Sequence, residues 1–109
     1  MIDWSDFEKV DIRCGTIVKV NDFPKAKKPA WKLTIDFGEL GMKKSSAQIT
    51  AHYTKADLLG KQVLAVVNFP PKQIANFFSE CLVLGLADEH GDIVLVGADQ
   101  KVPNGERLK

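Results

Sequence analysis

The sequence predicts a mainly β chain: a five-stranded Greek-key barrel of the OB type, with a short N-terminal helix and one helix between strands 3 and 4. Three observations carry this reading. Short apolar runs alternate at period two and are punctuated by Gly, Pro and Asn clusters, the pattern of half-buried strands. Gly15 interrupts the first run, as the bends of a closed barrel require. One compact helical signal, Thr54–Gly60, falls between the third and fourth runs, and this favours the OB arrangement over a generic antiparallel barrel or sandwich.

Trp4, Phe7 and Val10 recur at helical spacing, and Ser5 with Glu8 three residues on reads as a capping box. This predicts a helix over about residues 3–10 whose apolar face must be covered by its own chain or by a partner. Ile12–Val20 alternates, placing Ile12, Cys14, Thr16, Val18 and Val20 on one face. Pro24–Pro29 is a lysine-rich loop. Lys32–Phe37 turns Leu33, Ile35 and Phe37 inward, and Met42–Thr50 reads as a polar third strand. Thr54 can cap the internal helix, Asp57 sits in its first turn, and Gly60 ends it. Lys61–Phe69 is a central strand that stops at Asn68 and Pro70-Pro71, because proline has no ladder donor. A built turn follows, with Asn68, Lys72, Gln73, Asn76 and Ser79 at the joint. Glu80–Ala87 and Asp92–Gly97 read as two further strands joined by the turn at residues 88–92.

The chain has 109 residues, 45% of them hydrophobic and 27% charged, which fits one globular unit spanning residues 1–109. Its apolar runs are too short to span a bilayer, so no membrane insertion is expected. The acidic N-terminus lacks a basic leader region. Cys14 and Cys81 lie alone in apolar runs and read as small core residues. These features point to the cytoplasm. The net charge of +1 is unevenly distributed. From Lys19 to Lys44 seven lysines face three carboxylates, a balance of +4, while residues 73–100 hold five carboxylates and no Lys or Arg. One basic and one acidic surface follow if the fold keeps them apart. A pI of 7.8 falls short of the profile of a dedicated nucleic-acid binder.

No enzyme, cofactor or metal motif is present: there is no GxSxG, P-loop or GxGxxG, and neither His52 nor His90 has further ligands at metal spacing. Two segments carry binding chemistry instead. The Lys43–Thr50 strand offers donors and acceptors on both faces, and it reads equally as a ligand-facing strand or as an edge kept polar against pairing. The loop around Trp31 reads either as a core or interface aromatic beside solvated lysines, or as a stacking surface flanked by charge.

Val10-Asp11-Ile12-Arg13-Cys14-Gly15 resembles the opening signature, Val-Asp-Ile-Arg-Val-Gly, of the tRNA-binding OB domain. That domain occurs free-standing and attached to some aminoacyl-tRNA synthetases. Asn68, Pro71, Lys72 and Ser79 fall where the family has its second signature. Residues 28–38, 45–50 and 67–75 are similar to the CsaA subgroup, and the resemblance runs from about Phe7 to the C-terminus. It implies a non-catalytic homodimer that binds unfolded or precursor polypeptides and assists export. Trp4 and Phe7 of the N-terminal helix and the C-terminal segment, about residues 88–109, would lie in the dimer interface. The alternative it implies is recognition of tRNA by shape through a dimeric basic surface. Arg13, Lys43, Lys44 and Lys72 would then meet phosphates, and Ser46, Asn68 and Ser79 sugar or base edges. For polypeptide, the expected contacts are Trp31, Phe69, Ile74, Phe77 and Phe78. The sequence departs from the tRNA-binding pattern at Gln73, Ala75, Phe77 and Cys81-Leu82, which leaves fewer cations for phosphate.

Overall fold

The computed structural model describes residues 1–109 and is a nearly closed antiparallel barrel with two short helices. The strands of the main sheet are β1 (Ile12–Asp22), β2 (Trp31–Asp36), β3 (Met42–Ala47), β4 (Gln62–Val66) and β7 (Leu82–Val83), in the order β3-β2-β1-β4-β7. Two hairpins stand beside it: β5 (Lys72–Ile74) with β6 (Phe77–Ser79), and β8 (Gly85–Ala87) with β9 (Ile93–Leu95). No helix is long and apolar enough to cross a membrane.

The predicted inward set of β2 is correct: Leu33, Ile35 and Phe37 are sealed in one core with Ile17, Leu58 and Val63. Burying each such side chain contributes roughly 1.5–3 kcal/mol. The internal helix also forms where expected. It is α2 (Lys55–Leu58), with Thr54 accepting from the Asp57 N–H and the Asp57 carboxylate accepting from the Thr54 N–H. Its Leu58 plugs the core, and Gly60 turns the chain out at φ +86°.

The first strand differs from its predicted phase. A bulge between Ile17 and Lys19 breaks the register, so Ile17 and Val20 both face the core while Val18 is 42% exposed. The bend expected at Gly15 is therefore three residues further along. Gly15 serves another purpose: a β-carbon there would stand 2.7 Å from Ile35 Cγ2 and from the Phe37 ring. Cys14 is buried outside the main core cluster, where its backbone pairs with Gly105 and Glu106 of the C-terminal tail. The tail continues the ladder along β1 beyond the end of β2.

Helix α1 (Trp4–Glu8) starts two residues earlier than the Ser5–Glu8 box implied. Asp3 is the N-cap and shares a capping box with Asp6, while the Ser5 hydroxyl donates to Asp3 at 2.7 Å. An aspartate takes the cap because its carboxylate accepts the free N–H groups of the first turn. No residue of α1 is buried, and Trp4 is 76% exposed with Phe7 edge-on at 6.2 Å.

The predicted strand Glu80–Ala87 is two strands. It stays bonded to β4 as far as the Leu84 N–H, which donates to Leu64 C=O at 2.9 Å, then leaves the barrel to form the β8–β9 hairpin, closed by Asp88 N–H to Asp92 C=O at 2.8 Å. The joint between β4 and β7 holds a hairpin that the sequence did not reveal. Its two-residue turn puts Ala75 at φ +54°, a conformation for which glycine is the usual choice.

Because the Gly15 site has no room for a methyl group, Gly15→Ala is expected to destabilise the fold by about 1–3 kcal/mol through overpacking. A lower urea midpoint with an unchanged m-value checks this, and an unchanged midpoint contradicts it.

Candidate functional site

The barrel closes along a short seam. Beyond β6 the chain runs beside β3, where the Glu80 N–H donates to Lys44 C=O at 2.7 Å and the Lys44 N–H donates to Glu80 Oε1 at 2.9 Å. The Ser45 hydroxyl, 1% exposed, donates to Cys81 C=O at 3.0 Å. The Ser79 hydroxyl accepts from the Ser46 N–H at 3.3 Å and donates to the same Cys81 carbonyl at 3.2 Å. So the polar third strand is neither a free edge nor simply a ligand face; its serines fasten it to the last strand of the barrel.

Past the seam, β3 and the chain after Cys81 diverge and leave a groove of about 830 Å³. Its walls are the end of β3, the β5–β6 hairpin, β7 and the inner side of the β8–β9 hairpin. Ten of its seventeen lining residues are hydrophobic, and all but one of the large ones are aliphatic: Ile49, Ile74, Leu82, Val83, Leu84, Ile93 and Leu95, with Phe69 the one aromatic. Ser46, Gln48, Lys72, Ser79 and Glu80 supply the polar groups. A second recess of about 440 Å³ adjoins it, lined by the lysine loop and the hairpin tip.

The groove brings together members of both predicted sets: Ser46, Lys72 and Ser79 from the nucleic-acid set, and Phe69 and Ile74 from the polypeptide set. The others lie outside its lining. Arg13 is engaged with the fold itself, with Nε 2.6 Å from Asp11 and Nη1 donating to Gly105 C=O at 3.0 Å. The hydrogen bond it donates to the Asp11 carboxylate raises its already high pKa, so it is a permanent charged clamp on the tail. Asn68 accepts from the Asp11 N–H and donates to Lys9 C=O, tying the end of β4 to the helix–strand junction. Lys43 is half-buried and Lys44 exposed on β3. Trp31 leans on the core and donates its indole N–H to Tyr53 C=O at 2.9 Å. Phe77 packs against Phe23 at 5.4 Å beneath Lys32, while its neighbour Phe78 faces solvent. Only one of the adjacent pair points inward, as an extended chain requires.

Sequence reasoning missed the wall formed by Leu82, Leu84, Ile93 and Leu95. Glu80–Ala87 and Asp92–Gly97 read as two ordinary strands, and nothing in the pattern marks where the first leaves the barrel. It also missed that His52 Nε2 lies 2.7 Å from Asp88 Oδ2, close to Asp92. The His52 hydrogen bond, followed by N–H groups of the turn, holds the Asp88 carboxyl below its usual range. This contact pins the β8–β9 turn to the loop before α2, and so fixes one wall of the groove.

Comparison with known proteins agrees with this geometry. The family model described as "Putative tRNA binding domain" matches residues 12–107. The chain belongs to the tRNA-binding domain family. Within the family it is similar to CsaA chaperones. The crystal structure of the chaperone CsaA from Bacillus anthracis is 51% identical, with a TM-score of 0.94 over 100% of this chain and 99% of that one. The CsaA chaperone protein from Picrophilus torridus is 53% identical, with a TM-score of 0.92 over the whole of both chains. Methionine–tRNA ligase from Methanocaldococcus jannaschii is 32% identical over 99% of this chain, which spans only 16% of that relative's length.

Burial pushes the Cys81 thiol of the groove wall up to about 11 from 9.0. A raised folded-state pKa gives stability that is complete below about pH 9 and is lost as pH rises towards 11. Cys81→Ala is expected to flatten the decline of unfolding free energy across that alkaline range, and an equal decline in both proteins contradicts a buried neutral thiol.

Proposed function

We propose that the protein is a non-catalytic, cytoplasmic chaperone of the CsaA type that captures unfolded or precursor polypeptides and assists their export. One observation carries this reading: the groove is walled by aliphatic side chains and has a single aromatic, Phe69. Such a wall suits the apolar side chains of an extended chain. A site for single-stranded nucleic acid instead stacks successive bases on aromatic rings. The two neighbours whose names call them CsaA chaperones support the reading at just over half sequence identity. Capture is passive, driven by burial of apolar surface. The chain would act as one domain, paired into a homodimer through the exposed face of α1 with Trp4 and Phe7, together with the C-terminal segment from about residue 88.

Leu82 is 51% exposed and lines the groove, so Leu82→Asp puts a charge in the site at little cost to folding. The variant is expected to lose suppression of client aggregation, measured by light scattering of a chemically unfolded protein on dilution. Suppression equal to that of the parent protein removes the groove from the mechanism.

A second reading, recognition of tRNA by shape, is favoured by membership of the family and by Lys72, Ser46 and Ser79 meeting in the groove. It requires cations on phosphate at Lys43, Lys44 and Lys72. Replacing Lys43 and Lys44 should flatten the salt dependence of tRNA binding by about one unit of slope per lost contact. An unchanged slope counts against it.

For the dimer, Trp4→Glu is expected to yield a monomer by multi-angle light scattering where the parent is dimeric. A parent that is itself monomeric contradicts the pairing.

A further inference from the structure

The groove does not stop at the hairpin. Ser46, Gln48 and Ile74 line both the groove and the smaller recess, whose far wall is Lys25, Ala26, Lys27 and Lys28. The two spaces are therefore contiguous. The lysine loop is anchored rather than loose: Pro24 and Pro29 bracket it, and the Ala26 N–H donates to Phe23 C=O at 3.2 Å. Phe23 is in turn buried and packed against Phe77 of the hairpin. Ion pairs elsewhere involve Lys9, Arg13, Lys55, Arg107 and Lys109, so Lys25, Lys27, Lys28 and Lys72 carry charge with no carboxylate of this chain to neutralise it. The opposite wall draws on residues 79–95, a stretch with no Lys or Arg, and Glu80 is its one carboxylate in the lining. Positive charge is thus concentrated in the recess, with three lysines there against Lys72 alone along the groove.

We propose that groove and recess form one bipartite site with a fixed polarity. Its ligand is an extended polypeptide segment with an apolar stretch that is followed, at one end only, by acidic side chains. The apolar stretch lies along the aliphatic walls, and the carboxylates reach the ammonium groups of Lys25, Lys27 and Lys28. This deepens the polypeptide reading above and rests on it. A nucleic-acid strand fits the same arrangement poorly, because it carries a charge at every residue and needs cations along its whole track. Here a continuous polyanion would meet Glu80 and an aliphatic wall with Lys72 as its one cation. A polypeptide can place charge at one end and none along the rest. Lysine stems suit this contact, since they lie along apolar surface while keeping the charge at the rim.

The test uses four fluorescently labelled peptides with one shared apolar core and with flanks that are neutral, acidic on the N-terminal side, acidic on the C-terminal side, or basic on both sides. Anisotropy titrations at low salt are compared for the parent protein and the K25S/K27S/K28S variant, whose replaced side chains are all exposed. The neutral peptide should bind, and one of the two acidic placements should bind on the order of tenfold more tightly, as expected for a few exposed ion pairs. The basic peptide should bind no better than the neutral one. In the variant the acidic advantage should vanish while affinity for the neutral peptide is unchanged. Equal affinity for all flanks, an equal gain from both acidic placements, or a variant that weakens every peptide alike would overturn the proposal while leaving polypeptide capture intact. No binding of any peptide, with a single-stranded RNA oligonucleotide bound instead, would overturn both.

Discussion

The architecture depends on the seam between β3 and the chain from Ser79 to Cys81. Five strands arranged as β3-β2-β1-β4-β7 make an open sheet unless the two outer strands meet. Here they meet through a few hydrogen bonds rather than a full ladder. The buried Ser45 hydroxyl and the Ser79 hydroxyl both donate to Cys81 C=O, and Glu80 and Lys44 exchange one backbone bond and one bond through a carboxylate. A buried carbonyl without a donor would cost about 1–3 kcal/mol, so the serines are part of the closure and not ornaments of a polar edge.

The groove follows from the shortness of that seam. Once the seam ends, the two strands separate, and the apolar inner faces that a complete ladder would cover remain open. The β5–β6 hairpin then forms one wall, held against the barrel by Phe77 on Phe23. The β8–β9 hairpin forms another, held by His52 on Asp88. The lysine loop joins β1 to β2 on the hairpin side, and the opposite wall is formed by a stretch without Lys or Arg. Of the charges counted in the sequence, Lys25, Lys27 and Lys28 reach the recess and Glu80 the groove.

Much of the fold was legible because local rules and tertiary packing agree there. The alternation of Leu33, Ile35 and Phe37, the Thr54–Asp57 capping box and the Gly60 stop all predict what forms. The failures have separate physical causes. The bulge after Ile17 is a tertiary accommodation with no composition of its own, so it inverted the phase of β1. Asp3 outcompeted Ser5 as the helix cap because its carboxylate accepts more strongly. The β5–β6 hairpin was hidden because Ala75 occupies a position where glycine would have announced the turn. For the site, chemistry by residue type was readable but engagement was not. Arg13 and Asn68 look like ligand contacts in sequence, yet their polar atoms already serve the tail and the N-terminal junction. The aliphatic wall from Leu82 to Leu95 could not be separated from core by pattern, because a groove wall and a core use the same residue types.

The account's central claim is that polypeptide lies in the groove beyond the seam. Backbone amide chemical-shift mapping of the isotope-labelled protein, titrated with an unfolded client segment, tests it most directly. The account predicts that perturbations concentrate at Ser46, Gln48, Ile74, Leu82, Val83, Ile93 and Leu95, and spread to residues 25–28 when the segment carries an acidic end. Perturbations confined to α1, or to Lys43 and Lys44 with the groove silent, would contradict it.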